Sequence, residues 1–128
     1  MKRVSPCFFS ISDDAKVFEV SYEITNRCNL KCLHCVNNSG EEHESALSTE
    51  RIYDLIDDLV EIGMTSLYLT GGEPLLHPDL PAIIRLLKKN GIRTMLSTNG
   101  TLLDDAKSFD LMEAGLDYIV FSFDGHTR

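Results

Sequence analysis

Three runs rich in apolar and β-branched residues begin 26 residues apart, at Ser66, Ile92 and Tyr118. A segment of helical periodicity lies between each pair. That interval holds one strand, one helix and two short connections, so the repeat predicts βα units and a parallel sheet. Val17–Ile24 is the expected first strand of that sheet, preceded by an extended segment, Cys7–Ile11, that reads as an edge strand or hairpin partner. Ser48 is a candidate N-cap, with Leu47 and Ile52 placed for a hydrophobic staple. Ile52, Leu55, Ile56 and Leu59 then repeat at helical spacing up to Gly63. A second helix carries Leu80, Ile83, Ile84 and Leu87 before Asn90-Gly91, and a weaker one covers about 102–114. Every unusual motif falls just after the C-terminal end of a predicted strand. In parallel α/β folds that edge binds ligands, so the motifs are expected at one mouth.

The first motif is Cys28-Asn29-Leu30-Lys31-Cys32-Leu33-His34-Cys35, three thiols within eight residues. A disulfide framework fits poorly, because three is odd and the fourth cysteine, Cys7, lies far upstream. Zinc sites normally draw four protein ligands from paired C-x2-C segments. Three thiolates on one loop suit a 4Fe–4S cubane in which the fourth iron is left for another ligand. Cys7 itself reads as a small buried hydrophobe.

This cysteine pattern resembles the signature of the radical S-adenosylmethionine (radical SAM) enzymes, with His34 where that family usually has an aromatic ring. The resemblance implies that Cys28, Cys32 and Cys35 bind the cluster and that its open iron takes the amino and carboxylate groups of S-adenosylmethionine. An electron from the cluster, delivered by a donor such as flavodoxin or ferredoxin, then releases a 5′-deoxyadenosyl radical. Gly71-Gly72-Glu73-Pro74 looks like the family's GGE motif, which holds the cosubstrate's amino group. Two residues without a β-carbon allow a ligand close to the backbone, although the same four residues also suit an ordinary turn. Ser97-Thr98-Asn99-Gly100 is similar to the STNG-like segment near the ribose, and also reads as a turn before a helix cap. Ser122-Phe123-Asp124-Gly125 resembles the SFDG segment of SPASM-type peptide and protein modifiers, in which the serine lines the cosubstrate pocket. Its plain reading is a turn with an Asp cap. Asn99 and Ser122 are therefore expected nearer the nucleoside. No catalytic side chain is assigned: His77 and His126 match no family position, and His43, among Glu41, Glu42 and Glu44, reads as solvated surface.

The likeness implies a partial (βα)6 barrel, with helices on the outer face, here limited to about four parallel strands. Residues 1–16 are expected to be an N-terminal extension and 17–128 the βα units of a longer core domain. The implied function is modification of a peptide or protein. The alternatives are a noncatalytic iron–sulfur or zinc-binding module, or an inactive fragment that serves as an interaction piece. With 128 residues, 43% hydrophobic, the chain suffices for one core. A net charge of −8 disfavours nonspecific nucleic-acid binding. No apolar run reaches the roughly 18 residues of a membrane span. Clustered thiols suit a reducing compartment, with the cytoplasm the default.

Overall fold

The computed structural model describes residues 9–11, 18–40 and 47–123. Cys7, the acidic stretch around His43, and Asp124, Gly125 and His126 lie outside the described residues. In chain order the elements are β1 (Phe9–Ile11), β2 (Phe18–Thr25), α1 (Thr49–Glu61), β3 (Ser66–Gly71), a 3-10 turn (Pro74–Leu76), α2 (Leu80–Lys89), β4 (Arg93–Thr98), α3 (Asp105–Ala114) and β5 (Tyr118–Phe121). They form one sheet in the order β1-β2-β3-β4-β5. β2 to β5 are parallel, and β1 pairs antiparallel with β2 at the edge. This is the four-stranded α/β arrangement that the 26-residue period implies, with the expected hairpin partner in front of it.

The register sorts the strand residues onto two faces. Val20, Leu67 and Thr94 lie side by side, as do Tyr22, Leu69, Leu96 and Ile119 one step further along. This face packs with Ile52 and Ile56 of α1, Leu80, Ile83, Ile84 and Leu87 of α2, and Leu111 and Ala114 of α3 into one core. Ile83, Ile84, Leu87, Leu69 and Leu96 are completely inaccessible. The opposite face carries Ser21, Tyr68, Met95 and Tyr118 in one row, with Glu23 beside Thr70 and Ser97 beside Val120 further along. Those residues are half-buried or exposed. Helices thus cover one face of the sheet, as on the outside of a βα barrel, and the other face is of mixed character and remains accessible.

The helix ends follow their sequence signals. The Ser48 hydroxyl accepts from the Arg51 N–H at the start of α1, and Gly63 follows its end in a left-handed conformation. Asp104 likewise caps α3, and Gly115 closes it. The Lys107 N–H that Asp104 accepts holds its carboxyl below the usual carboxylate range. Of the two residues placed for a hydrophobic staple, Ile52 is in the core and Leu47 is 42% exposed.

Candidate metal centre and the strand-end loops

The cysteine loop starts where β2 ends and closes on itself, because the Gly40 N–H donates to Asn26 O at 3.1 Å. Within it, the Cys35 N–H donates to Cys32 O at 3.1 Å. Cys28 is half-buried, Cys32 and Cys35 are exposed, and all three are free thiols. Two of the sulfurs already accept backbone N–H groups: Cys28 Sγ from Leu30 and Cys35 Sγ from Ser39, each at 3.4 Å. The Ser39 N–H, helped by those of Asn37 and Asn38, holds the Cys35 thiol below its ordinary range. Such N–H to sulfur contacts favour thiolate and tune iron–sulfur clusters. Among the described residues no three Cys, His, Asp or Glu side chains converge on a single metal ion. The loop instead offers separate, accessible thiols, a donor set suited to a cluster in which each sulfur takes its own iron.

The loop after β3 is locked to this one. The Gly72 N–H donates to Thr25 O and the Glu73 N–H to Arg27 O, both at 2.8 Å. A Cβ on Gly71 would overlap Thr25 O, and one on Gly72 would overlap Arg27 O. The backbone that approaches these glycines closely is thus the cysteine loop itself. Asn37 Nδ2 reaches the Gly71 carbonyl at 3.5 Å.

Glu73 is fully buried. Its Oε1 accepts from the Leu75 N–H at 3.0 Å and the Thr98 hydroxyl at 2.7 Å, and its Oε2 from the Asn99 N–H at 2.8 Å. The side chain that the resemblance directs at a cosubstrate ammonium therefore points into the fold, joining the β3 loop to the end of β4. Pro74 is buried and opens the 3-10 turn. His77, one turn on, is held below the usual imidazole range by burial, and its Nδ1 accepts from the Asp79 N–H at 3.2 Å.

The loops after β4 and β5 complete the edge. The Ser122 N–H donates to Thr98 O at 2.9 Å, and the Ser97 and Ser122 hydroxyls lie 3.4 Å apart. Asn99 is half-buried beside the cysteine loop, where its Nδ2 donates to Asn29 Oδ1 at 3.0 Å. Cys28, Gly72, Glu73, Asn99 and Ser122 thus belong to four loops tied together at one sheet edge. Asn29, Asn37 and Thr101 also take part, as does Thr98 of the Ser97–Gly100 motif.

The Radical SAM superfamily model matches residues 22–128. The chain belongs to the radical SAM superfamily. It is 40% identical to the Fe-coproporphyrin III synthase of Methanosarcina barkeri over 125 residues, covering 97% of this chain and 31% of the relative. It is 37% identical to the PqqA peptide cyclase of Granulibacter bethesdensis over 102 residues, 79% of this chain and 27% of the relative. The chain thus spans about a third of the length of the curated relatives it matches. The solved structure of BtrN in complex with AdoMet and 2-DOIA superimposes with a TM-score of 0.69 at 23% identity, over 83% of this chain and 46% of that one. The radical SAM family uses a 4Fe–4S cluster and S-adenosylmethionine, and the three loop thiols here fit that cluster. Among the described residues no helix is long and apolar enough to cross a membrane.

Proposed function

We propose that these βα units form the cosubstrate-activating part of a radical SAM enzyme, in which Cys28, Cys32 and Cys35 hold the cluster. When bound, the cluster and S-adenosylmethionine supply the reductive cleavage that yields a 5′-deoxyadenosyl radical. The chain's own residues bind and orient. The cysteine loop offers three thiols, two of them already stabilised by N–H donors. The Gly71 and Gly72 backbones would accept the amino group of the cosubstrate. Glu73 fixes that segment from beneath, and the loops that carry Asn99 and Ser122 would flank the nucleoside. The observation that carries this reading is the hydrogen-bonded junction of the Cys28–Cys35 loop with the Gly71–Glu73 segment at the carboxyl edge of the sheet.

For the substrate we favour a peptide or protein, supported by the likeness to a relative named as a peptide cyclase. A tetrapyrrole is the second reading, favoured by the likeness to an Fe-coproporphyrin III synthase that extends over 97% of this chain. A flavodoxin or ferredoxin would deliver the electron, and accessible thiols accord with a reducing cytoplasm. The test is anaerobic reconstitution with iron and sulfide. About four irons per chain are expected. Cys28→Ala, Cys32→Ala and Cys35→Ala should each abolish the cluster's visible absorbance, and Cys7→Ala should not. Stoichiometric zinc without iron-dependent absorbance would overturn the assignment.

A further inference from the structure

We infer that Asn29, Asn99 and Thr101 form a hydrogen-bonded latch that positions the cysteine loop against the loop following β4. This rests on the reading of Cys28, Cys32 and Cys35 as cluster ligands. The three side chains make a closed cycle in which each one donates to the next. Asn29 Nδ2 donates to Thr101 Oγ1 at 2.8 Å, Thr101 Oγ1 to Asn99 Oδ1 at 2.7 Å, and Asn99 Nδ2 to Asn29 Oδ1 at 3.0 Å. The cycle fixes both amides: turning Asn29 over would set its NH2 against the Asn99 NH2. Hydrogen bonds arranged donor to acceptor around a ring polarise one another.

The latch has a rigid side and a light side. Asn99 is anchored by its own N–H on the buried Glu73 carboxyl, and its Oδ1 also accepts the Thr101 N–H at 3.0 Å. Asn29 sits next to Cys28 on a loop whose outer residues, Leu33 and Val36, are almost wholly exposed. Beside its backbone junction with the loop after β3, two side-chain hydrogen bonds to residues about 70 positions away orient this loop. Asn99 and Thr101 thereby act on the cluster through Asn29, as positioning residues. The amide that the sequence resemblance directs to the nucleoside has both ends engaged within the protein.

The test compares Asn29→Ala, Thr101→Val and Thr101→Ser in the full chain. Thr101→Val keeps the shape and removes the hydroxyl, and it lies on a different loop from the cysteines. Amide hydrogen exchange across residues 27–40 is expected to quicken about fivefold in Asn29→Ala and Thr101→Val. It should return close to the parent rate in Thr101→Ser, while α2 is unaffected. In the reconstituted protein Thr101→Val should weaken S-adenosylmethionine binding about fivefold, or lose iron, and Thr101→Ser should restore either property. Unchanged exchange, unchanged affinity in a variant that keeps its iron, or no rescue by serine overturns the latch. If the parent chain assembles no cluster, the cluster reading fails, and the exchange rates alone decide the latch.

Discussion

Two carboxyl groups clasp β4, one at each end, and they do so in opposite surroundings. At the start of the strand, Asp117 Oδ2 accepts the Thr94 N–H at 2.9 Å while Oδ1 meets Lys88 Nζ at 2.8 Å, a pair that remains partly open to water. At the far end, Glu73 is fully buried and takes three uncharged donors, from Leu75, Thr98 and Asn99. Each joins β4 to a neighbouring βα unit, but only the second lies beneath the loops that carry the family's motifs. Water can take over much of what Asp117 accepts at the partly open end, whereas Glu73 is fully buried and its place is not open to water. A clasp at the closed end contributes a little stability. A clasp beneath the site determines where two loops lie.

The widest contrast is expected from Glu73→Ala. It leaves the buried Thr98 hydroxyl and two part-buried backbone N–H groups without their acceptor, and it opens a small cavity. Together these should cost about 4 kcal/mol. Urea unfolding at neutral pH measures it. A loss of only about 1 kcal/mol, the scale of a surface contact, would erase the difference between the two clasps.

Between the clasps lies the apolar core, and Ile84→Ala should cost about 3 kcal/mol, since the side chain is completely inaccessible in the middle of α2. The comparison is sharpened by a second readout from the same protein. Ile84→Ala should leave hydrogen exchange in the cysteine loop nearly unchanged, because its neighbours lie on the helical face. Glu73→Ala should accelerate it. Equal acceleration by both would mean that the site follows global stability and that the Glu73 clasp has no local role.

How much of this was legible in the sequence depends on how far apart the interacting residues stand. The core of α2 was readable because Leu80, Ile83, Ile84 and Leu87 mark one helical stripe, and all four are buried. The cysteine loop was readable because its chemistry is concentrated in eight residues. The inward turn of Glu73 was hidden. Its partners Thr98 and Asn99 lie 25 and 26 residues on, and only the pairing of β3 with β4 brings them beneath it. The glycines were recognised as a place of close approach, but the approaching group is the backbone of Thr25 and Arg27. Strand order and motif position are properties of the sequence pattern. The direction of a polar side chain within the mouth follows from contacts that span two βα units.

The smallest effect belongs to Asp117→Asn, and its pH dependence distinguishes the exposed clasp from the buried one. Lys88 beside the carboxyl, with the Thr94 N–H, holds Asp117 below the usual carboxylate range in the folded protein. A group depressed on folding adds stability above its unfolded value, and that contribution fades as the pH falls through the folded value. The parent chain should therefore exceed Asp117→Asn by about 1 kcal/mol at pH 7. The two should draw together as acid protonates the carboxyl below about pH 4. High salt should narrow the neutral-pH gap as well, because the Lys88 side chain is 54% exposed and screening acts on such pairs. Urea midpoints at neutral and acidic pH, each with and without salt, measure all four corners. A gap that persists in acid and in salt would show that Asp117 holds β4 through the shape of its hydrogen bond to Thr94, as Glu73 does with uncharged donors at the other end, and the electrostatic difference between the clasps would then be gone.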